Sequence, residues 1–259
     1  MKINKIYNEN CLDTMSRMED NFIDLTVTSP PYDNLRTYNG YSFDFESIAK
    51  ELYRITKEGG VVVWIVGDAT IKGSETGTSF KQALYFKDIG FNLHDTMIWM
   101  KDSFAFPSPI RYHQCFEYMF ILTKGKLKSC NLIEDRVNKW AGGIVHGTSR
   151  NKDGTTFRKS NHNKSTVKSI GCRFNVWQQP TVKTNRSIHP ATFPKRLIND
   201  HIITWSNKGD LVYDCFMGSG TTAKMALINN RKFIGSEMSE EYCEVAEKRI
   251  SNYRINLFT

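Results

Sequence analysis

Ser29-Pro30-Pro31-Tyr32 sets a hydroxyl, two rigid prolines and an aromatic ring in four consecutive residues. Proline fixes its own φ and restricts the residue before it, so this stretch can take few conformations. The Ser29 oxygen and the Pro30 carbonyl can then point at one spot. Two acceptors meeting there would hold the hydrogens of an amino group and turn its lone pair towards an electrophile. An amino nitrogen conjugated to a ring is a poor nucleophile, and such orientation is the help it needs. Tyr32 would stack on the ring. The plainer reading of the same residues is a stiff surface turn.

A second group lies near the other end of the chain. Asp210 to Cys215 reads as a strand, Phe216-Met217-Gly218-Ser219-Gly220 as a turn, and Thr221-Thr222 as the start of a helix. Glycines let the backbone approach a ligand, and a helix N-terminus offers free N–H groups. Glu237 ends the next strand, 23 residues after Asp214, where an acid can accept from two ribose hydroxyls. A nicotinamide-dinucleotide site shares this skeleton, but only Gly218 and Gly220 of a G-x-G-x-x-G pattern are present. Asp214 would also repel a pyrophosphate and attract a cationic amino-acid tail. S-adenosylmethionine carries such an ammonium and a sulfonium. A tight turn without a ligand is the alternative.

The elements that must position these groups alternate in type. Strands are predicted over Ile23–Thr28, Val61–Val66, Phe91–Met100, Phe116–Thr123, Leu211–Cys215 and Lys232–Glu237. Helices are predicted over Phe45–Lys57, Ser79–Ile89, Pro194–Trp205, Thr221–Asn229 and Glu240–Tyr253, with Gly59-Gly60 and Gly90 as stops. Strands separated by helices imply an α/β fold with a mostly parallel sheet. Ser29 would then sit at the carboxyl edge of the sheet, where ligands of open α/β sheets bind.

Residues 124–187 break this rhythm. They hold fourteen Lys and Arg against three acids, a net +11, whereas the whole chain is +8 and the remainder therefore −3. This concentration suits a polyanion such as nucleic acid; a solvated loop is the bland alternative. Trp140 and Trp177 within it are expected to form a small local core rather than to stack on DNA. The segment is expected to lie beyond the sheet. The six cysteines are scattered, without C-x-x-C spacing, and the histidines show no metal-ligand spacing. Neither a disulfide framework nor a metal is expected. No apolar run approaches a membrane span and no signal peptide is evident, which predicts a cytoplasmic protein.

Ser-Pro-Pro-Tyr at 29–32 and Phe-Met-Gly-Ser-Gly-Thr-Thr at 216–222 resemble the two signature motifs of the amino-methyltransferases of DNA. Their order, catalytic motif first and cofactor motif last, is similar to the β class of that family. The resemblance extends to Tyr7–Leu12, Asp44–Gly60, Gln114–Gly125 and His189–Pro194, roughly three quarters of the chain. It implies a seven-stranded-type, Rossmann-like methyltransferase sheet, circularly permuted. Residues 1–123 and 188–259 would form the catalytic domain, and 124–187 an inserted target-recognition region. It implies S-adenosylmethionine as methyl donor and an amino group of a base flipped out of double-stranded DNA as acceptor.

By the same resemblance, Ser29, Pro30, Pro31 and Tyr32 are catalytic. Asp214, Phe216, Gly218, Ser219, Gly220 and Thr221 hold the methionine part, Glu237 the ribose, and Asn10 and Cys11 the adenine ring. Position 10 is usually Asp in the family, and position 193 is Phe where many adenine-modifying members have Lys. Ser29 and Phe193 lean towards cytosine-N4 modification, with adenine-N6 as the alternative and a non-catalytic DNA-binding protein as a third reading. Serine is a weak base, so the proton is expected to leave to solvent after transfer. Asp33, Asn34, Arg36, the Gly67-Asp68 turn, Arg111 and His113 are open between substrate contact and structure, whereas Glu117 is expected to be structural. Dimerisation is common in the family, and no residue here establishes it.

Overall fold

The computed structural model describes residues 1–31, 43–104, 107–145, 147–158, 165–181 and 193–255. Tyr32, Asp33, Asn34, Arg36 and residues 189–192 lie outside them. In chain order the elements of the first half are β1 (Lys5–Asn8), α1 (Cys11–Ser16), β2 (Ile23–Thr28), α2 (Phe45–Ile55), β3 (Thr56–Val66), β4 (Thr70–Ile71), β5 (Ser74–Glu75), α3 (Thr78–Asp88), β6 (Asn92–Met100) and β7 (Phe116–Thr123). Then come β8 (Glu134–Val137), β9 (Thr148–Arg150), β10 (Thr156–Arg158), β11 (Ile170–Cys172), β12 (Val176–Gln178), α4 (Lys195–Trp205), β13 (Leu211–Asp214), α5 (Thr221–Ile228), β14 (Lys232–Glu237) and α6 (Glu240–Ile255).

Eight strands form one sheet in the order β1-β14-β13-β2-β3-β7-β6-β12. Every neighbouring pair is parallel except those made by β7, which runs against both β3 and β6. The expected mostly parallel α/β sheet is therefore present, with β12 as an additional edge strand. Val61 to Ile65 of β3 are fully buried, the signature of a strand covered on both faces. Alternate residues feed two cores. Leu25, Val27, Val63, Met97, Trp99 and Met119 pack with α4, α5 and α6. Val62, Trp64, Phe120 and Tyr213 pack with residues of α1, α2 and α3. No described helix is long and apolar enough to cross a membrane.

Three expectations need correction. β3 begins at Thr56 rather than Val61, because Thr56 pairs with Ile23 and Lys57 Nζ binds Asp24 at 2.8 Å, carrying the strand through Gly59-Gly60. The segment 124–187 is not wholly outside the sheet. Val176–Gln178 pair with Ile98–Met100, and Trp177 is 5% exposed in the main core, not in a local one. Lys124 is buried as well; its ammonium donates to Asn21 Oδ1 and Tyr53 O, both at 2.9 Å, so its charge serves the fold.

The chain divides into two compact units, 1–131 with 175–259, and 132–174. The smaller unit consists of two short antiparallel pairs, β8 with β11 and β9 with β10. Arg173 grips Asp135, with Nη2 at 2.5 Å from Oδ2, and Arg136 lies over the Phe174 ring at 4.4 Å. Trp140 is 73% exposed, with Lys139 Nζ 5.5 Å from its ring centroid, so it builds no local core either.

Candidate active site

β2 and β13 are neighbours at the centre of the sheet, with Val212 paired to Leu25 and Tyr213 to Thr26. Their tips bring together segments nearly two hundred residues apart in sequence. The Asp214 carboxylate is the knot between them. Thr28 Oγ1 donates to Oδ1 at 2.7 Å, Phe216 N to the same oxygen at 3.1 Å, and Thr222 Oγ1 to Oδ2 at 2.6 Å. One carboxylate therefore fixes the residue before Ser29, the turn after β13 and the first turn of α5. It is 2% exposed, and burial pushes its pKa up to about 6 despite the three donors. A nearby cation would favour its charged form.

The turn itself depends on glycine. Gly218 and Gly220 have φ of 51° and 79°, in the left-handed region, and Gly220 caps α5. A Cβ on Gly220 would lie 2.8 Å from that of Ala246. Gly218 N donates to Glu237 Oε2 at 2.7 Å and Ser239 N to Oε1 at 2.9 Å, while burial raises the Glu237 pKa. Each carboxylate oxygen keeps capacity for a further donor, as a ribose hydroxyl requires. Asn10 is the N-cap of α1, its Oδ1 accepting from Leu12 N at 2.9 Å. Asp and Asn cap helices about equally well, so Asn in place of the family's usual Asp keeps this local geometry. Burial pushes the Cys11 thiol up to about 12, which keeps it uncharged.

A cleft of about 1330 Å³ runs along the carboxyl edge of the sheet. Ser29, Pro30, Asp214, Phe216, Gly218, Ser219 and Thr221 all line it, as do Gly67, Asp68, Trp99, Lys101, Arg111, Glu117 and Phe193. Pro31, Gly220, Asn10, Cys11 and Glu237 are not in its wall. Asn8 pairs with Glu237, which places Asn10 and Cys11 just past the β1 strand end beside Glu237. Asp68 is engaged by α3, accepting from Ser79 N and Ser79 Oγ at 2.8 and 2.5 Å.

Two contributors escape a reading of sequence. Arg249 of α6 reaches the turn, its Nη1 donating to Ser219 O and Thr221 Oγ1, each at 3.1 Å. Lys101 forms an ion pair with Glu117 on the cleft wall. Neither belongs to a motif, and only the fold brings them to the site.

A sequence profile described as DNA methylase matches residues 23–248. The orphan methyltransferase M.BamHII of Bacillus amyloliquefaciens is 60% identical over 241 residues, covering 90% of both chains. The type II methyltransferase M1.MboII of Moraxella bovis is 27% identical, covering 99% of this chain and 100% of its own. Among solved structures, the cytosine-N4-specific PvuII DNA methyltransferase superposes with a TM-score of 0.68 at 22% identity, covering 96% of this chain and 90% of that one. M1.HpyAVI in complex with SAM gives 0.63 at 22% identity, covering 95% and 98%. With the profile spanning most of its length and a relative of this similarity, the chain belongs to the N6/N4 DNA methylase family.

Proposed function

We propose that this methyltransferase acts on the N4 amino group of a cytosine flipped out of duplex DNA. The observation that carries the reading is the single cleft that takes in both Ser29-Pro30 and the Asp214–Thr221 turn. S-adenosylmethionine, when bound, supplies a methyl group on a sulfonium. Asp214 fits its ammonium as a buried carboxylate on the cleft wall, and Glu237 fits a ribose. The turn between them brings backbone close to the ligand, and Arg249 holds that turn from behind.

At the other end of the cleft, Ser29 Oγ and the Pro30 carbonyl accept the two amino hydrogens of the base. This leaves the nitrogen lone pair directed at the donor methyl. Thr28, bonded to Asp214, fixes the distance between the two halves of the site. The amino proton passes to solvent after transfer, since a serine hydroxyl is too weak a base to take it first. Cytosine is favoured by Ser29 and by Phe193, which stands in the cleft with its ring centroid 6.4 Å from that of Trp99. A lysine at position 193 would suit adenine-modifying relatives. Residues 124–187, and within them the unit 132–174, read the target sequence.

The test is mass spectrometry of DNA from cells expressing the chain, with sequencing to map the methylated position. N4-methylcytosine in a fixed context is the expected product. N6-methyladenine would replace the cytosine assignment, and methyl groups on RNA or on a protein amide alone would overturn DNA as substrate.

A further inference from the structure

A charged pair, Lys101 with Glu117, lines the same cleft as Ser29. Glu117 of β7 is paired in register with Trp99 of β6, and Lys101 follows Trp99 by two residues, so all three side chains point the same way. Ser29 follows Val27 by two, and Val27 packs in one core with Trp99 and Met119. Glu117 lies two strands from the tip of β2, about 10 Å at roughly 4.8 Å per strand. Long side chains reaching inward can narrow that distance to the width of one planar base.

Lys101 is held from several sides. Its ammonium is ion-paired with Glu117 and lies 4.9 Å from the Trp99 ring centroid, and its backbone N–H donates to Cys115 O at 2.6 Å. The Trp99 ring is itself locked, Nε1 donating to Gln179 O at 2.9 Å. The Lys101 and Glu117 side chains are only 22% and 11% exposed. A pair so withdrawn from water adds little stability, because lost hydration offsets the attraction, and apolar residues would fill the wall as well. Among the described residues the ammonium donates to Glu117 alone, which leaves two N–H donors on a residue that lines the cleft.

We propose that Lys101 reads the target base along the edge beyond its amino group, with Glu117 as the positioning residue that aims it. A cytosine held by N4 at Ser29 and Pro30 presents two acceptors on that edge, N3 and then O2. Adenine presents N1 and then a C–H. A cationic donor there recognises the cytosine edge and leaves half its capacity unused on adenine. The assignment rests on the cytosine-N4 reading above and extends it to the residue that enforces the choice.

The experiment uses the full chain, a duplex carrying the mapped site, and the same duplex with adenine at the target position. Single-turnover methylation is measured on both. Lys101→Met is expected to slow the cytosine reaction about 100-fold, as for two missing charge-assisted hydrogen bonds, and the adenine reaction about 10-fold, as for the one to N1. The preference for cytosine should narrow about tenfold or more, while S-adenosylmethionine affinity stays within about twofold. Lys101→Met combined with Glu117→Gln removes both charges and should show the same narrowing where the single variant folds poorly. Lys101→Arg should retain part of the preference. Equal losses on both bases, or none, would mean a structural pair and would overturn the proposal, as would a mapped target that is adenine. A wild-type chain that methylates no DNA base would overturn the underlying function, and this assignment with it.

Discussion

Under the proposed function, the two compact units of this chain meet opposite demands. The larger one holds a few polar groups in place by burying and hydrogen-bonding what holds them. Asp214 is 2% exposed and accepts three hydrogen bonds, and the strands beside it are covered on both faces. The smaller unit, 132–174, does the reverse. Its strands are three or four residues long, and Lys139, Trp140, Arg150, Lys152 and Lys168 stand exposed. Chemistry on a small group demands fixed geometry. Recognition of a long polyanion demands charge and adaptable surface.

The sharpest way to break this comparison is to damage one unit and read the other. Ser29→Ala should lower the methylation rate about 100- to 1000-fold, as loss of one preorganised polar group commonly does. DNA affinity, measured by fluorescence anisotropy, should stay within about twofold. A matching loss of DNA binding would mean that the two tasks are not separable. The converse variant neutralises Lys139, Arg150 and Lys152 together. It should weaken duplex binding about tenfold at moderate salt and flatten the salt dependence, by up to about one unit of log–log slope for each phosphate left without its cation. S-adenosylmethionine affinity from calorimetry should not move. An unchanged salt slope would remove this unit from the DNA interface.

The smallest effect concerns pH and belongs to the buried unit alone. With its pKa pushed up to about 6, Asp214 is mostly protonated at pH 5 and mostly ionised at pH 7. Binding of an ammonium favours the ionised form, so S-adenosylmethionine affinity should rise about tenfold over that interval. Asp214→Asn should bind more weakly and show a flat profile. A flat profile in the wild type would show that Asp214 does not meet the cationic tail.

How far the sequence foretold each unit follows from the same contrast. The bounds of β2 and β14 could be read directly, because each is a short run with β-forming residues set between turn formers, β2 stopping at Ser-Pro-Pro. Ser29-Pro30 and the Asp214–Thr221 turn were legible because motif chemistry constrains residue type. The partners of Asp214 were hidden: Thr28 and Thr222 look like any other threonines until the strands are laid side by side. β12 was missed because three residues carry no periodicity, and its pairing with Ile98–Met100 is a long-range choice. Lys101, Lys124 and Arg249 were invisible for a related reason. Sequence counts a lysine or arginine as surface charge, whereas the fold fixes each on a chosen partner. Trp140 misled in the other direction, being apolar and yet exposed.

The pairing of Leu25 with Val212 has a consequence for how the protein comes into being. β2, which leads into Ser29, emerges from the ribosome long before β13, the strand that must lie beside it. Until then β2 has an open edge, and Thr28 lacks the carboxylate that anchors it. Pairings of such sequence separation form slowly, since a long loop must close before they repay its entropy. A partly made chain can therefore display its basic surface before it owns a working cleft. DNA affinity would then precede catalysis during synthesis, and a working cleft would wait for the segment from β13 through Glu237 and Arg249.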